Sequence, residues 1–494
     1  MRKLFLINIL LLILVNVLIK PFFIFGIDLT VQNRTESGAY GLYFALLNWA
    51  YLFQIISDFG LQNFNARHVS SASHLLEKYF PSLLVIKIFL SFVYFFVAMA
   101  AAYGIGNYHI EALWLLAVLL ANQIMVQMTL FLRTNISGLG HYKIDSLLSA
   151  LDKLLMLFFC GFALWWHDRT STGVFPIIWF VLAQSLALLM TMFVVYGVLR
   201  SKSQIPLRPK LLTNLKTGWP VILVLFKKSL PFAVVILLMS AYTRLDAIIL
   251  ERILPDGDYH TDIFAGSYRL LDALNMFGYL FASLLLPMFS RQLAEGSDVR
   301  PLTLLSFRLI WAGSITACVS IYFHRQDIIA LMFNGKADIV YRSDVCGVLI
   351  WSFVAICVTY IFSTLLTAGA KMRSMNQIFL AGLCLDLILD FTLIPTQKAI
   401  GAAHAALCTQ VFVALGMVFL CFKYYKLQFT LAGFARIVCF SLVITLIAWY
   451  FIRLEEAAWH IQFVATLLSG LVLAFITGLI DLRPVLELLK KNQA

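Results

Sequence analysis

Two arginines stand inside apolar runs where charge is expensive. Arg244, with Asp246 two residues on, interrupts L-M-S-A-Y-T-R-L-D-A-I-I-L (238–250), and Arg269 lies three residues before Asp272 in the next apolar run. An ionisable side chain at the centre of a membrane helix costs about 2.5 to 3.5 kcal/mol on insertion scales, so one that persists faces a partner or a wet cavity. Guanidinium offers a planar fork of donors that matches phosphate oxygens and stays charged at every accessible pH. The pattern points to a cationic cavity for a phosphate-bearing head group. The plainer alternative is that each arginine pairs with its neighbouring carboxylate or reaches to the interface along its own stem. Lys20, just before Pro21 where a kink frees backbone groups, is a third candidate for the cavity wall. Asp246 and Asp272 are read as supporting residues rather than substrate contacts.

Other candidates carry less. Asp58, near the inner end of the second apolar run, either lines the path or sits at the interface. Asp386 and Asp390 share a helix face at i and i+4, a spacing suited to binding a proton or Na+, and are expected to be solvated near the outer mouth. Asp152 with Lys153, and Gln123 with Gln127, are read as helix-to-helix hydrogen bonding. The D-G-D at Asp256 and Asp258 reads as a solvated turn rather than a metal loop. No G-x-x-x-x-G-K-[ST], H-E-x-x-H or G-x-S-x-G occurs, and no Cys or His cluster has metal spacing. No catalytic residue, metal or cofactor is therefore expected. All eight cysteines fall in or at the edge of apolar runs, where free thiols pack as small hydrophobes.

The elements that must position these residues are membrane helices. Of 494 residues 62% are hydrophobic and 13% charged, with a mean hydropathy of +0.90, a composition foreign to a water-soluble domain. Apolar windows of about 20 residues, enough to cross the hydrocarbon, recur throughout. They predict fourteen spans: 4–27, 38–60, 80–104, 109–133, 144–166, 174–199, 224–250, 262–288, 302–323, 346–369, 376–397, 401–423, 430–452 and 459–481. Arg2 and Lys3 precede the first run as in a signal peptide, but no small-residue cleavage site follows, so it is read as a retained helix. The net charge of +12 is topological rather than a sign of nucleic acid binding. With both termini inside, twenty-four of the 37 basic residues fall in inside segments and eight outside. The polar stretch 200–223 divides the chain into an N-terminal six-helix bundle (1–199), a cytoplasmic linker (200–223), a second six-helix bundle (224–423) and two additional helices with a tail (424–494). A weak echo of G-L-Y-F-A-L-L-N (41–48) in G-S-Y-R-L-L-D-A (266–273) supports the repeat.

The runs E-S-G-A-Y-G-L-Y-F-A-L-L-N-W (36–49), S-D-F-G-L-Q-N-F-N-A-R (57–67), K-K-S-L-P-F (227–232), T-R-L-D-A-I-I-L (243–250), G-S-Y-R-L-L-D (266–272) and L-P-M-F-S-R (286–291) resemble the polysaccharide, or O-antigen type, flippases. These belong to the multidrug/oligosaccharidyl-lipid/polysaccharide superfamily. The resemblance implies an all-α polytopic fold, a V-shaped, MATE-like pair of six-helix bundles working by alternating access. It also implies undecaprenyl-pyrophosphate-linked oligosaccharide as cargo, a bacterial inner membrane as location, and a polysaccharide polymerase and chain-length machinery as partners beside the lipid bilayer. Arg244 and Arg269 occupy places where related flippases hold pyrophosphate. With Lys20 the sole basic residue within the first two spans, a cationic wall from the first half is the point of departure. Coupling would be to H+, Na+ or the membrane potential. A drug or cation antiporter of the same superfamily, and a membrane-embedded polymerase or glycosyltransferase, are the alternatives.

Overall fold

The computed structural model describes residues 19, 21–59, 75–170, 173–202, 213–334, 336, 338–427, 430–454 and 457–479. Among them there is no strand, as expected of a chain whose backbone polar groups must be satisfied within each membrane segment. The helices are α1 (Leu29–Arg34), α2 (Ala39–Phe53), α3 (Leu75–Gly104), α4 (Ile110–Gly138), α5 (Tyr142–Thr170), α6 (Ile177–Lys202) and α7 (Thr213–Ile253). There follow α8 (Gly257–Ala294), α9 (Arg300–Phe323), α10 (Arg325–Met332), α11 (Ile339–Leu349), α12 (Ser352–Ala368), α13 (Met372–Tyr425), α14 (Leu431–Ile452) and α15 (Trp459–Ile476).

Twelve stretches are long and apolar enough to cross a membrane, and the chain is a multi-pass membrane protein. One of the twelve, the 54-residue α13, is two expected spans in one. Its backbone reverses at Lys398, where φ is 56° and ψ −130°, and Gly401 is pressed so closely on the Leu393 carbonyl that a methyl there would overlap it. The described residues thus account for thirteen of the fourteen expected passages. Two thirds of the expected first span, 4–27, lie outside them, but its end is corrected. The chain stays helical past 27, through a π-helical turn at Ile24–Asp28 and on into α1.

The chain separates into two compact units, Met1–Gly266 and Ser267–Ala494. In the first, α4, α5 and α6 pack side by side, and α2 lies against α4 and α7. Tyr40, Tyr43, Phe44 and Trp49 of α2 are all buried, which marks it as an inner helix rather than a lipid-facing one. One end of the unit is held by a cluster that includes Phe80, Phe131, Leu148 and Val195, with the Phe80 and Phe131 rings stacked at 5.8 Å. In the second unit α9 packs against α12, α14 and α15. Trp311 donates to the Ser441 hydroxyl at 3.1 Å, and Gly470 brings α15 against Thr316. Large apolar side chains such as Phe92, Phe96, Leu442 and Leu468 remain exposed, a surface suited to hydrocarbon and not to water. All eight cysteines are free; five are buried, and Cys384, Cys408 and Cys439 are exposed.

Candidate functional site

In the first unit the site is built on α2 and α7. Asn48 and Tyr51, three residues apart, share the face of α2 turned to α7. The Asn48 amide nitrogen donates to the carbonyl of Phe44 one turn back at 2.8 Å, which orients its Oδ1 as an acceptor. Arg244 on α7 donates to that Oδ1 at 3.1 Å, and its guanidinium carbon lies 4.8 Å from the centroid of the Tyr51 ring. A planar cation held over an aromatic face and bonded to a fixed acceptor keeps a defined orientation. Arg244 is half-buried. Asp246, two residues on, falls on another face of α7 and is buried.

The second unit holds the other pair. Arg269 and Asp272 lie at i and i+3 on α8 with 3.8 Å between Nη1 and Oδ2, a loose ion pair, and their side chains are 15% and 28% exposed. Asp386 and Asp390 share a face of α13, and here the expectation is corrected. Neither is solvated at an outer mouth, because both side chains are fully buried. Two carboxylates one turn apart in the protein interior do not both ionise without compensating charge or hydrogen bonds.

Asp58 is held in an ion pair. Its carboxylate accepts from Lys87 at 2.7 Å, and Lys87 on α3 is wholly buried. The Gln54–Ser57 3-10 turn and the left-handed Phe59, at a φ of 41°, carry Asp58 to that position. Sequence reading assigned Lys87 no role, although it is the sole basic residue in the apolar run after Pro81, which is a usable signal. Asp28 was missed because the first span was ended one residue short. It is buried in the π-helical turn and accepts from the Tyr40 hydroxyl at 2.9 Å. Asn48 and Tyr51 carry no local signal at all. Lys20 lies outside the described residues.

A model of the family described as polysaccharide biosynthesis protein matches residues 5–293. None of the curated proteins matches the sequence. Solved structures do. The lipid II flippase MurJ in an inward closed conformation superposes with a TM-score of 0.72 over 98% of this chain and 100% of that one, at 14% identity. An inward-facing multidrug resistance MATE family transporter of the MOP superfamily gives 0.63 at 12% identity, over 82% of this chain and 95% of that one. The Vibrio cholerae MATE transporter VcmN, in the form of a point mutant, gives 0.59 at 12% identity, over 85% and 95%. The fold is that of MurJ and the MATE transporters.

Proposed function

The chain belongs to the polysaccharide biosynthesis protein family, and from that premise we propose that it is a flippase carrying a polyprenyl-pyrophosphate-linked oligosaccharide across a bacterial cytoplasmic membrane by alternating access. The observation that carries the reading is Arg244: a permanently charged fork within a membrane-length helix, oriented by Asn48 and Tyr51 and partly accessible. Pyrophosphate is the part of such a cargo that hydrocarbon excludes most strongly, and guanidinium is the group best matched to it. Arg269 is assigned the same role in the second unit, with Asp272 orienting it; Asp386 and Asp390 are assigned to ion coupling. The proposed orientation places both termini in the cytoplasm. An anionic head group leaving an inside-negative cell moves down the electrical gradient by about 2.3 kcal/mol per charge per 100 mV, so the membrane potential contributes directly to export.

The test is transport by the purified protein in liposomes, with a fluorescent polyprenyl-pyrophosphate oligosaccharide whose leaflet is read by an impermeant quencher. Outward flipping is expected, faster when the potential is negative on the side the cargo leaves. Arg244→Ala loses a charge-assisted contact of about 1.5 to 3 kcal/mol, a drop of roughly ten- to a hundredfold, with Arg244→Lys between the two. The likeness to MATE transporters favours a second reading, a cation or drug antiporter. Export of a cationic dye against a proton or Na+ gradient by the same liposomes, with no movement of the lipid, would replace the flippase reading by that one.

A further inference from the structure

The turn that joins α7 to α8 is fastened to three other places in the first unit, and all the residues involved lie within 28–262. Arg252, in the last turn of α7, donates through Nη1 to the carbonyl oxygens of Gly106 at 2.6 Å and Asn107 at 3.3 Å, in the loop between α3 and α4. Its Nε and Nη2 reach the carboxylate of Glu251 at 2.9 and 3.2 Å, and its guanidinium carbon lies 4.1 Å from the Tyr108 ring centroid. Tyr108 in turn donates its hydroxyl to Glu251 at 2.9 Å and packs edge-on against Trp49 of α2. Burial, and after it the neighbouring Glu251 carboxylate, push the Tyr108 hydroxyl well above the usual tyrosine range, so it stays a donor. On the far side of the turn, buried Gln32 of α1 donates to both the carbonyl oxygen and the carboxylate of Asp262, at 2.7 and 2.9 Å. Between these two clamps Gly41 of α2 lies so close to the first turn of α8 that a methyl on it would overlap the Asp258 carbonyl.

The chemistry of this fastening differs from that of the cluster around Phe80. Apolar interdigitation offers no substitute partner when it parts, whereas the hydrogen bonds of part-exposed Arg252 exchange with water for about 0.5 to 1.5 kcal/mol each. Arg252 keeps 32% of its side chain exposed, so water is already at hand. The loop it grips turns at Asn107, which sits in the left-handed region at a φ of 48°, a conformation that Asn readily adopts. Close backbone contact at Gly41 supplies the fit, and replaceable hydrogen bonds supply the hold. Contacts of this kind can part without unfolding the helices they join.

We infer that these contacts form the latch of the outer gate: Arg252 bolts the α7–α8 turn to the α3–α4 loop in the closed state, and the turn withdraws from Gly41 and Gly106 when the carrier opens to that face. The inference rests on the alternating-access reading above, but its test involves no cargo. Nitroxides on genetically encoded side chains at the exposed positions Ile105 and Asp256, 84% and 66% accessible, leave the native cysteines in place. Dipolar spectroscopy on the full chain in nanodiscs then reads the separation of loop and turn. The wild type is expected to show mainly a short distance. Arg252→Ala should raise the long-distance population roughly tenfold, and Tyr108→Phe by a smaller factor. Gly41→Ala, whose methyl occupies the place of the Asp258 carbonyl, should make the long distance dominant in a folded protein. An unchanged distance in Arg252→Ala overturns the latch, whether or not Gly41→Ala folds. Failure of lipid flipping with an intact distance shift would remove the cargo assignment and leave the gate standing.

Discussion

At the scale of the residue, the pair Lys87 and Asp58 is the sharpest departure from what a hydropathy profile conveys. A wholly buried ammonium 2.7 Å from a carboxylate is tolerated only as a pair. Asp58→Asn alone leaves an uncompensated charge and is expected to cost about 3 to 5 kcal/mol, while Asp58→Asn with Lys87→Met restores most of the loss. Thermal unfolding of the detergent-solubilised variants checks this; equal midpoints for the single and double variants would refute it. His324, between α9 and α10, has an edge contact with Phe463, and burial lowers its pKa below the usual histidine value despite the opposing pull of Asp327. A base with a depressed folded pKa binds fewer protons folded than unfolded. Its contribution to stability is therefore present above about pH 6.5, the unfolded value, and is lost as pH falls through the lower folded value. The melting midpoint should drop on acidification through that window, and His324→Asn should remove this component of the slope.

At the scale of the element, hairpin α13 shows how far local sequence carries and where it stops. The two apolar windows 376–397 and 401–423 were legible as separate spans, because each is long enough to cross hydrocarbon by itself. The short gap between them, 398–400, was legible too, but the way the backbone reverses there was not, since it depends on Lys398 adopting a positive φ and on Gly401 letting the backbone meet Leu393. Gly401→Ala is expected to destabilise this hairpin by about 1 to 3 kcal/mol, from overpacking against a carbonyl that cannot move aside. Limited proteolysis of the 395–401 region in liposomes would detect the opening, and an unchanged cleavage rate would show that the turn yields cheaply. Gly470 makes the same kind of close approach between α15 and Thr316 of α9. Between transmembrane helices small residues of this sort replace the hydrophobic driving force that lipid removes.

At the scale of the whole molecule, the expected orientation follows from the bias of basic residues, and it makes a direct prediction. With an impermeant maleimide on intact cells, Ile105→Cys should react at once, whereas Ser201→Cys, exposed at the end of α6, should react only after permeabilisation. The reverse pattern would invert the topology. The order of the thirteen described passages and the unusual arginines at 244 and 269 could be read from the sequence, because hydropathy is a property of contiguous stretches. The partners of those charges could not. Arg244 meets Asn48 across 196 residues, Tyr108 meets Glu251 across 143, and Lys87 meets Asp58 across 29, and nothing in the stretch around either partner points to the other. Even the burial of Asp386 and Asp390 reverses what their position in the span suggested. A membrane helix announces itself by its length and composition, but which of its faces meets protein, lipid or water is decided only when the helices pack, and that choice assigns every polar group its partner.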